Sequence, residues 1–105
     1  MHIQLVSFNL KDMTEAGYCK LCDDMSSTFA KVPGLMSKVW LADPANNTYG
    51  GVYTWRDRGA METYFKSDLC KGVMSSPNLI NITSRDFSVM EGPTRATRGL
   101  VATAV

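Results

Sequence analysis

Residues 38–55 read KVWLADPANNTYGGVYTW. Two runs rich in β-branched and aromatic residues flank Asp43, Pro44, Ala45, Asn46 and Asn47, a segment dominated by residues that accept turn geometry. The stretch reads as a β-hairpin with strands over 35–42 and 48–55 and a loop of about five residues. That loop sets Gly50 near Trp40 and Gly51 near Val39. Glycine weakens a strand, since it carries no side chain to pack and loses much backbone freedom on folding. A glycine pair beside Trp40, Tyr49, Tyr53 and Trp55 therefore calls for a reason. The preferred one is relief of crowding around the Trp40 indole. The other is room for a flat ligand beside an aromatic wall.

Outward from the hairpin, the pattern alternates strand and helix. His2–Leu10 is β-rich. Residues 14–31 place Ala16, Cys19, Cys22, Met25 and Phe29 at helical spacing, with Tyr18, Leu21 and Met25 as a neighbouring stripe. Asp12 with Glu15 resembles a capping box, and Thr14 is the alternative N-cap. Val32-Pro33-Gly34 stops this helix. After the hairpin, Asp57 is the N-cap of a second helix whose stripe is Ala60, Met61, Tyr64 and Phe65, and 69–74 adds a further helical turn. Residues 79–90 form the last strand, ended by Glu91-Gly92-Pro93. The order is β-α-β-β-α-β, an α+β ferredoxin-like fold. Residues 1–93 make one domain, and 94–105 are a tail or an arm that lies on a partner.

Two helices cover only one face of a four-stranded antiparallel sheet. Residues 35–42 nevertheless carry apolar bulk at odd positions (Leu35, Val39, Leu41) and at even ones (Met36, Trp40, Ala42). A sheet apolar on both faces packs on another sheet, which predicts a homodimer through the sheet faces.

The composition of the 105-residue chain fits one soluble domain: 45% hydrophobic, 20% charged, net charge +1. Arg56 with Arg58 and Arg95 with Arg98 read as solvated surface, so no nucleic-acid partner is expected. No apolar run approaches the roughly 20 residues of a membrane span. The opening MHIQLVSF lacks a signal-peptide pattern. Three cysteines make a poor disulfide framework and point to a reducing cytoplasm. Cys19 and Cys22 form a C-x-x-C inside a helix rather than at its start, and read as core residues. His2, the single histidine, is structural or a general base, and no metal site is expected.

Several stretches resemble the YdhR-type monooxygenase family: Gly34-Leu35, Ser37-Lys38-Val39-Trp40, the polar turn, Gly50-Gly51-Val52-Tyr53, Asp57 through Tyr64, and the closing Asp86-Phe87-Ser88-Val89-Met90-Glu91-Gly92-Pro93. This family lies in the dimeric α/β barrel group, beside the antibiotic-biosynthesis monooxygenases. The resemblance implies two ferredoxin-like units packed sheet to sheet, each with a pocket between sheet and helices. It also implies oxidation of a small aromatic, phenolic or quinol-like substrate by molecular oxygen, with no cofactor. Other members of the group bind small molecules, which leaves a non-catalytic binding or stress-response dimer as the alternative.

Within that frame Lys38 and Trp40, two residues apart, share a face. A lysine in an apolar setting can hold a phenolate or enolate; the preferred alternative is a lysine that snorkels to the sheet edge or pairs across the dimer. Arg85 is a second candidate cation, with an intersubunit ion pair as its preferred alternative. The candidate catalytic residues are Lys38, Trp40 and Arg85. The candidate substrate-binding residues are Tyr53, Trp55, Tyr64, Gly50 and Gly51.

Overall fold

The computed structural model describes residues 1–99. Its strands are β1 (His2–Leu10), β2 (Leu35–Asp43), β3 (Thr48–Trp55) and β4 (Leu79–Ser88), and its helices α1 (Glu15–Ala30), α2 (Arg58–Phe65), α3 (Asp68–Met74) and α4 (Glu91–Ala96). The strands form one sheet in the order β2-β3-β1-β4, every neighbouring pair antiparallel. The expected ferredoxin-like α+β fold is present. No helix of the described residues is long and apolar enough to cross a membrane.

The helix starts follow local chemistry. Thr14 caps α1, its hydroxyl accepting from the Gly17 amide at 3.1 Å, whereas Asp12 sits two residues earlier with φ 54°. Asp57 caps α2 by accepting from the Ala60 amide at 2.8 Å, and Ser67 caps α3 through the Cys70 amide. Glu91-Gly92-Pro93, expected only to end a strand, opens α4. Proline is tolerated there because first-turn amides have no partner inside the helix. Strand β4 correspondingly stops at Ser88 instead of residue 90.

The hairpin register corrects the sequence expectation by one residue. Asp43 already pairs with Thr48, so Trp40 faces Gly51, Leu41 faces Gly50 and Val39 faces Val52. Pro44–Asn46 form a single 3-10 turn, and Asn47 takes the left-handed conformation, φ 48°, donating its amide to the Pro44 carbonyl at 3.1 Å. This closes the loop in four residues instead of five.

Strand parity sorts the sheet into two faces. Helices α1 to α3 cover the face that carries Gln4, Val6, Phe8, Tyr49, Tyr53, Trp55, Lys38 and Trp40. The core beneath them falls into two clusters. Phe29, Tyr53, Trp55, Ala60, Met61, Tyr64 and Cys70 form one; Phe8, Leu10, Tyr18, Tyr49 and Leu79 form the other. The inward face of α1 mixes the two expected stripes: Tyr18 and Phe29 are buried and Cys22 and Met25 half-buried, whereas Ala16, Cys19 and Leu21 are exposed. Phe65 likewise ends up exposed at the end of α2. The opposite sheet face leaves Leu5, Val39, Leu41 and Phe87 exposed in the single chain.

Candidate active site

A cavity of about 400 Å³ opens at the seam between the two core clusters. Its floor is the sheet, with Phe8, Lys38, Trp40, Gly50 and Tyr53; its roof is Tyr18, Cys22, Met25 and Phe29 of α1 and Leu69 and Val73 of α3. Gly72 and Asp68 border it from α3, where Gly72 has open space around the place a Cβ would occupy. The walls are mostly carbon. A second hollow of about 260 Å³ lies on the other side of Phe29, Lys38 and Trp40, which line both.

The glycine pair now has a structural account, and it differs between the two positions. A Cβ on Gly50 would collide with the Val6 carbonyl oxygen and come within 2.9 Å of the Ser7 Cα, so the backbone of β1 itself requires glycine there. The crowding relieved at Gly50 is thus against β1 and not around Trp40. At Gly51, opposite Trp40, a Cβ would meet Lys38 Cε at 3.2 Å and Tyr53 Cε1 at 3.3 Å. The missing side chain lets the lysine stem cross the sheet into the aromatic cluster.

Lys38 is the one cationic side chain lining the cavity among the described residues. Its Nζ stands 3.5 Å from the ring centroids of both Phe29 and Trp40, and 4.6 Å from that of Tyr53. None of the ion pairs among the described residues includes it. Burial in this carbon-lined site pulls its pKa down from 10.5 to about 7, partly countered by the nearby Cys22 thiol. At neutral pH the amine and the ammonium are both populated. The ring faces attract the ammonium form, and the lost water favours the amine.

The phenols and the thiol along the wall are held neutral. Burial pushes the Tyr18 phenol far above its ordinary value, and its hydrogen bond to Cys22 adds to this. Burial raises the Cys22 thiol as well, against the lowering effect of Tyr18 and Lys38. The Tyr53 phenol is pushed up to about 12 by burial.

The sequence candidates separate in space. Lys38, Trp40, Tyr53 and Gly50 line the cavity, and Gly51 lies under the Lys38 stem. Trp55 and Tyr64 do not line it. They form its backing: Trp55, 0% exposed, stacks on Tyr53 at 5.9 Å with 4° between planes, and Tyr64 packs against both rings. Trp55 Nε1 donates to Gln4 Oε1 at 3.0 Å, which fixes the indole and, through stacking, Tyr53. Arg85 stands apart. It lies opposite Leu5 on the far sheet face, its guanidinium 5.3 Å from the Phe87 ring. His2 is also remote, with Nε2 at 2.6 Å from an Asp86 carboxylate oxygen. Sequence reasoning left out Phe8, Tyr18 and Phe29 as site residues. The α1 spacing Tyr18, Cys22, Met25, Phe29 was the available signal. Among the described residues no three His, Cys, Asp or Glu side chains are grouped as metal ligands.

A four-stranded sheet roofed by helices is the fold that the chain shares with solved antibiotic-biosynthesis monooxygenases. The chain is similar to a "putative antibiotic biosynthesis monooxygenase" from Deinococcus radiodurans, with TM-score 0.70 and 14% identity over 87% of this chain and 94% of that one. It is similar to a variant of SnoaB, a cofactor-independent oxygenase from Streptomyces nogalater, with TM-score 0.66 and 16% identity over 86% and 94%. A variant of MhuD with two manganese protoporphyrin IX bound per active site has TM-score 0.69 and 12% identity over 86% and 95%. No curated protein matches the chain significantly. The family described as "Putative mono-oxygenase ydhR" matches residues 3–100, and the chain belongs to that family.

Proposed function

We infer that the cavity is the active site of a cofactor-independent monooxygenase acting on a small, flat phenolic or quinol-like substrate. The observation that carries this reading is Lys38: an amine without a carboxylate partner, held against aromatic faces in a carbon-lined cavity. The volume of about 400 Å³ lies within the range of small-molecule sites, roughly 300–1,000 Å³. Membership of a mono-oxygenase family and a fold shared with a cofactor-independent oxygenase support it.

In this reading the substrate lies in the cavity against Trp40, Phe29 and Tyr53. The neutral amine of Lys38 accepts the phenolic proton, and the resulting ammonium holds the phenolate. An electron-rich phenolate or its carbanion form reduces oxygen directly. At a ring CH₂, peroxide forms on the carbon and loses water, so that CH₂ and O₂ become C=O and H₂O. Trp40 and Tyr53 orient the ring, and Trp55, Tyr64 and Gln4 hold Tyr53 in place. Arg85, on the far face, takes no part in this step.

We further propose that the protein is a cytoplasmic homodimer closed through the sheet faces. Leu5, Val39, Leu41 and Phe87 are exposed together on that face, a patch that monomers rarely leave open. Three free cysteines fit a reducing compartment.

The test is oxygen uptake by the purified protein, with metals chelated, across hydroquinones and polycyclic phenols against protein-free blanks. The expected result is uptake above blank that falls at least tenfold in Lys38→Met and in Trp40→Ala. Tight aromatic binding with no uptake on any substrate would overturn turnover and leave a small-molecule-binding dimer.

A further inference from the structure

Lys38 has a second chemistry open to it. An amine that is partly uncharged at neutral pH is a nucleophile, and a carbonyl compound meets it without losing an ion pair first. Nothing in the cavity competes for the nitrogen: its near neighbours are the Phe29, Trp40 and Tyr53 rings, and no ion pair among the described residues includes it. The charged side chains along the cavity are Lys38 itself and Asp68, the latter exposed at the border. Tyr18 of the roof and Tyr53 of the floor, both kept protonated by burial, provide hydroxyls along the cavity.

We propose that the cavity also captures flat aromatic aldehydes and ketones, and that Lys38 Nζ bonds their carbonyl carbon as an imine. The amine lone pair adds to the carbonyl carbon, and the nitrogen proton passes to oxygen, giving a carbinolamine. Loss of that oxygen as water leaves C=N, so one carbonyl and one amine give one imine and one water with no change of oxidation state. The depressed pKa of Lys38 supports the step, because the reactive amine is about half the population at pH 7. A free lysine, with a reference pKa of about 10.4, is amine to less than about 0.1% there. This goes beyond the oxygenase reading and shares with it only the cavity and its lysine.

The experiment uses the whole chain without oxygen, with 2-naphthaldehyde as the probe and cyanoborohydride to reduce the imine, followed by peptide mapping. The expected result is one adduct per chain on Lys38. It should form about 100-fold faster than on any of the exposed lysines Lys11, Lys20, Lys31, Lys66 and Lys71, with the Met1 amine mapped separately. Lys38→Arg keeps the charge and cannot form an imine, so its fast adduct should vanish while its thermal melt stays cooperative. Trp40→Ala, which keeps the amine but opens the wall, should lose at least tenfold of the rate advantage. Labelling spread evenly over the lysines, or an unchanged fast phase in Lys38→Arg, overturns the proposal. Because oxygen is absent, this failure is separate from that of the oxygenase reading: oxygen uptake without an imine removes the proposal alone.

Discussion

Replacing Lys38 by methionine should make the protein more stable at neutral pH. The side chain keeps its length and apolar stem but loses an amine whose protonation is opposed by the site. Between about pH 7 and 10.5 the unfolded chain holds a proton on Lys38 that the folded protein has released. Stability therefore rises with pH across that window and is lowest below it. The full depression, from 10.5 to about 7, at about 1.4 kcal/mol per unit, sets a ceiling of about 5 kcal/mol. Water at the cavity mouth and the attraction of the ring faces reduce this, and about 2 kcal/mol is the expected gain in Lys38→Met. For a domain of this size that is roughly 10 °C in Tm. The assay is calorimetry of both proteins at one protein concentration, from pH 6 to pH 9, below the titration of the buried tyrosines. The variant should melt roughly 10 °C higher at pH 7, with the gap shrinking toward pH 9. A variant that melts at or below the wild type at pH 7, or a gap that ignores pH, would refute the argument that burial disfavours the Lys38 charge.

The two adjacent glycines should respond differently to alanine. Gly50→Ala drives a methyl into the Val6 carbonyl and should cost about 3 kcal/mol or prevent folding, while Gly51→Ala makes only tight contacts, at 3.2–3.3 Å, with the Lys38 stem, the Val39 carbonyl and the Tyr53 ring and should cost about 1 kcal/mol; urea titration separates them. Gly72→Ala, in open space on α3, should add up to about 1 kcal/mol of stability, whereas Gly72→Phe should narrow the cavity and weaken aromatic ligands at least tenfold by tryptophan quenching without lowering the melt. Val52→Asp sets a carboxylate between Leu5 and Val39 on the far sheet face; sedimentation should report a monomer in place of a dimer at about 10 μM.

Much of the fold was legible because period-two and period-3.6 patterns survive in the sequence between strong turn formers. The hairpin register was not, because it depends on whether Asn47 bends into the left-handed region, a choice of one backbone angle. Helix α1 offered two adjacent stripes, and the buried face falls between them, taking in Tyr18 and Phe29 and leaving Cys19 and Leu21 outside. The shared face of Lys38 and Trp40 followed from strand parity. What they face did not, since the cavity depends on how α1 and α3 come to rest over Gly50 and Tyr53. Aromatic character singled out Trp55 and Tyr64, but their full burial behind Tyr53 is a property of packing depth, which spacing does not encode. For Arg85, alternation left the choice of face open, and pairing with Leu5 settles it.

The account turns on the state of one amine, and that state is directly measurable. In protein labelled with ¹³C at lysine Cε, each of the six lysines reports its own protonation as pH is raised. One resonance, absent from Lys38→Met, should titrate near pH 7, and it should shift upward when a phenolic ligand is added, as the ammonium pairs with a bound anion. Six lysines all titrating near their ordinary value of about 10.4 would contradict the account, since Lys38 would then be a solvated surface cation with no special role in the cavity.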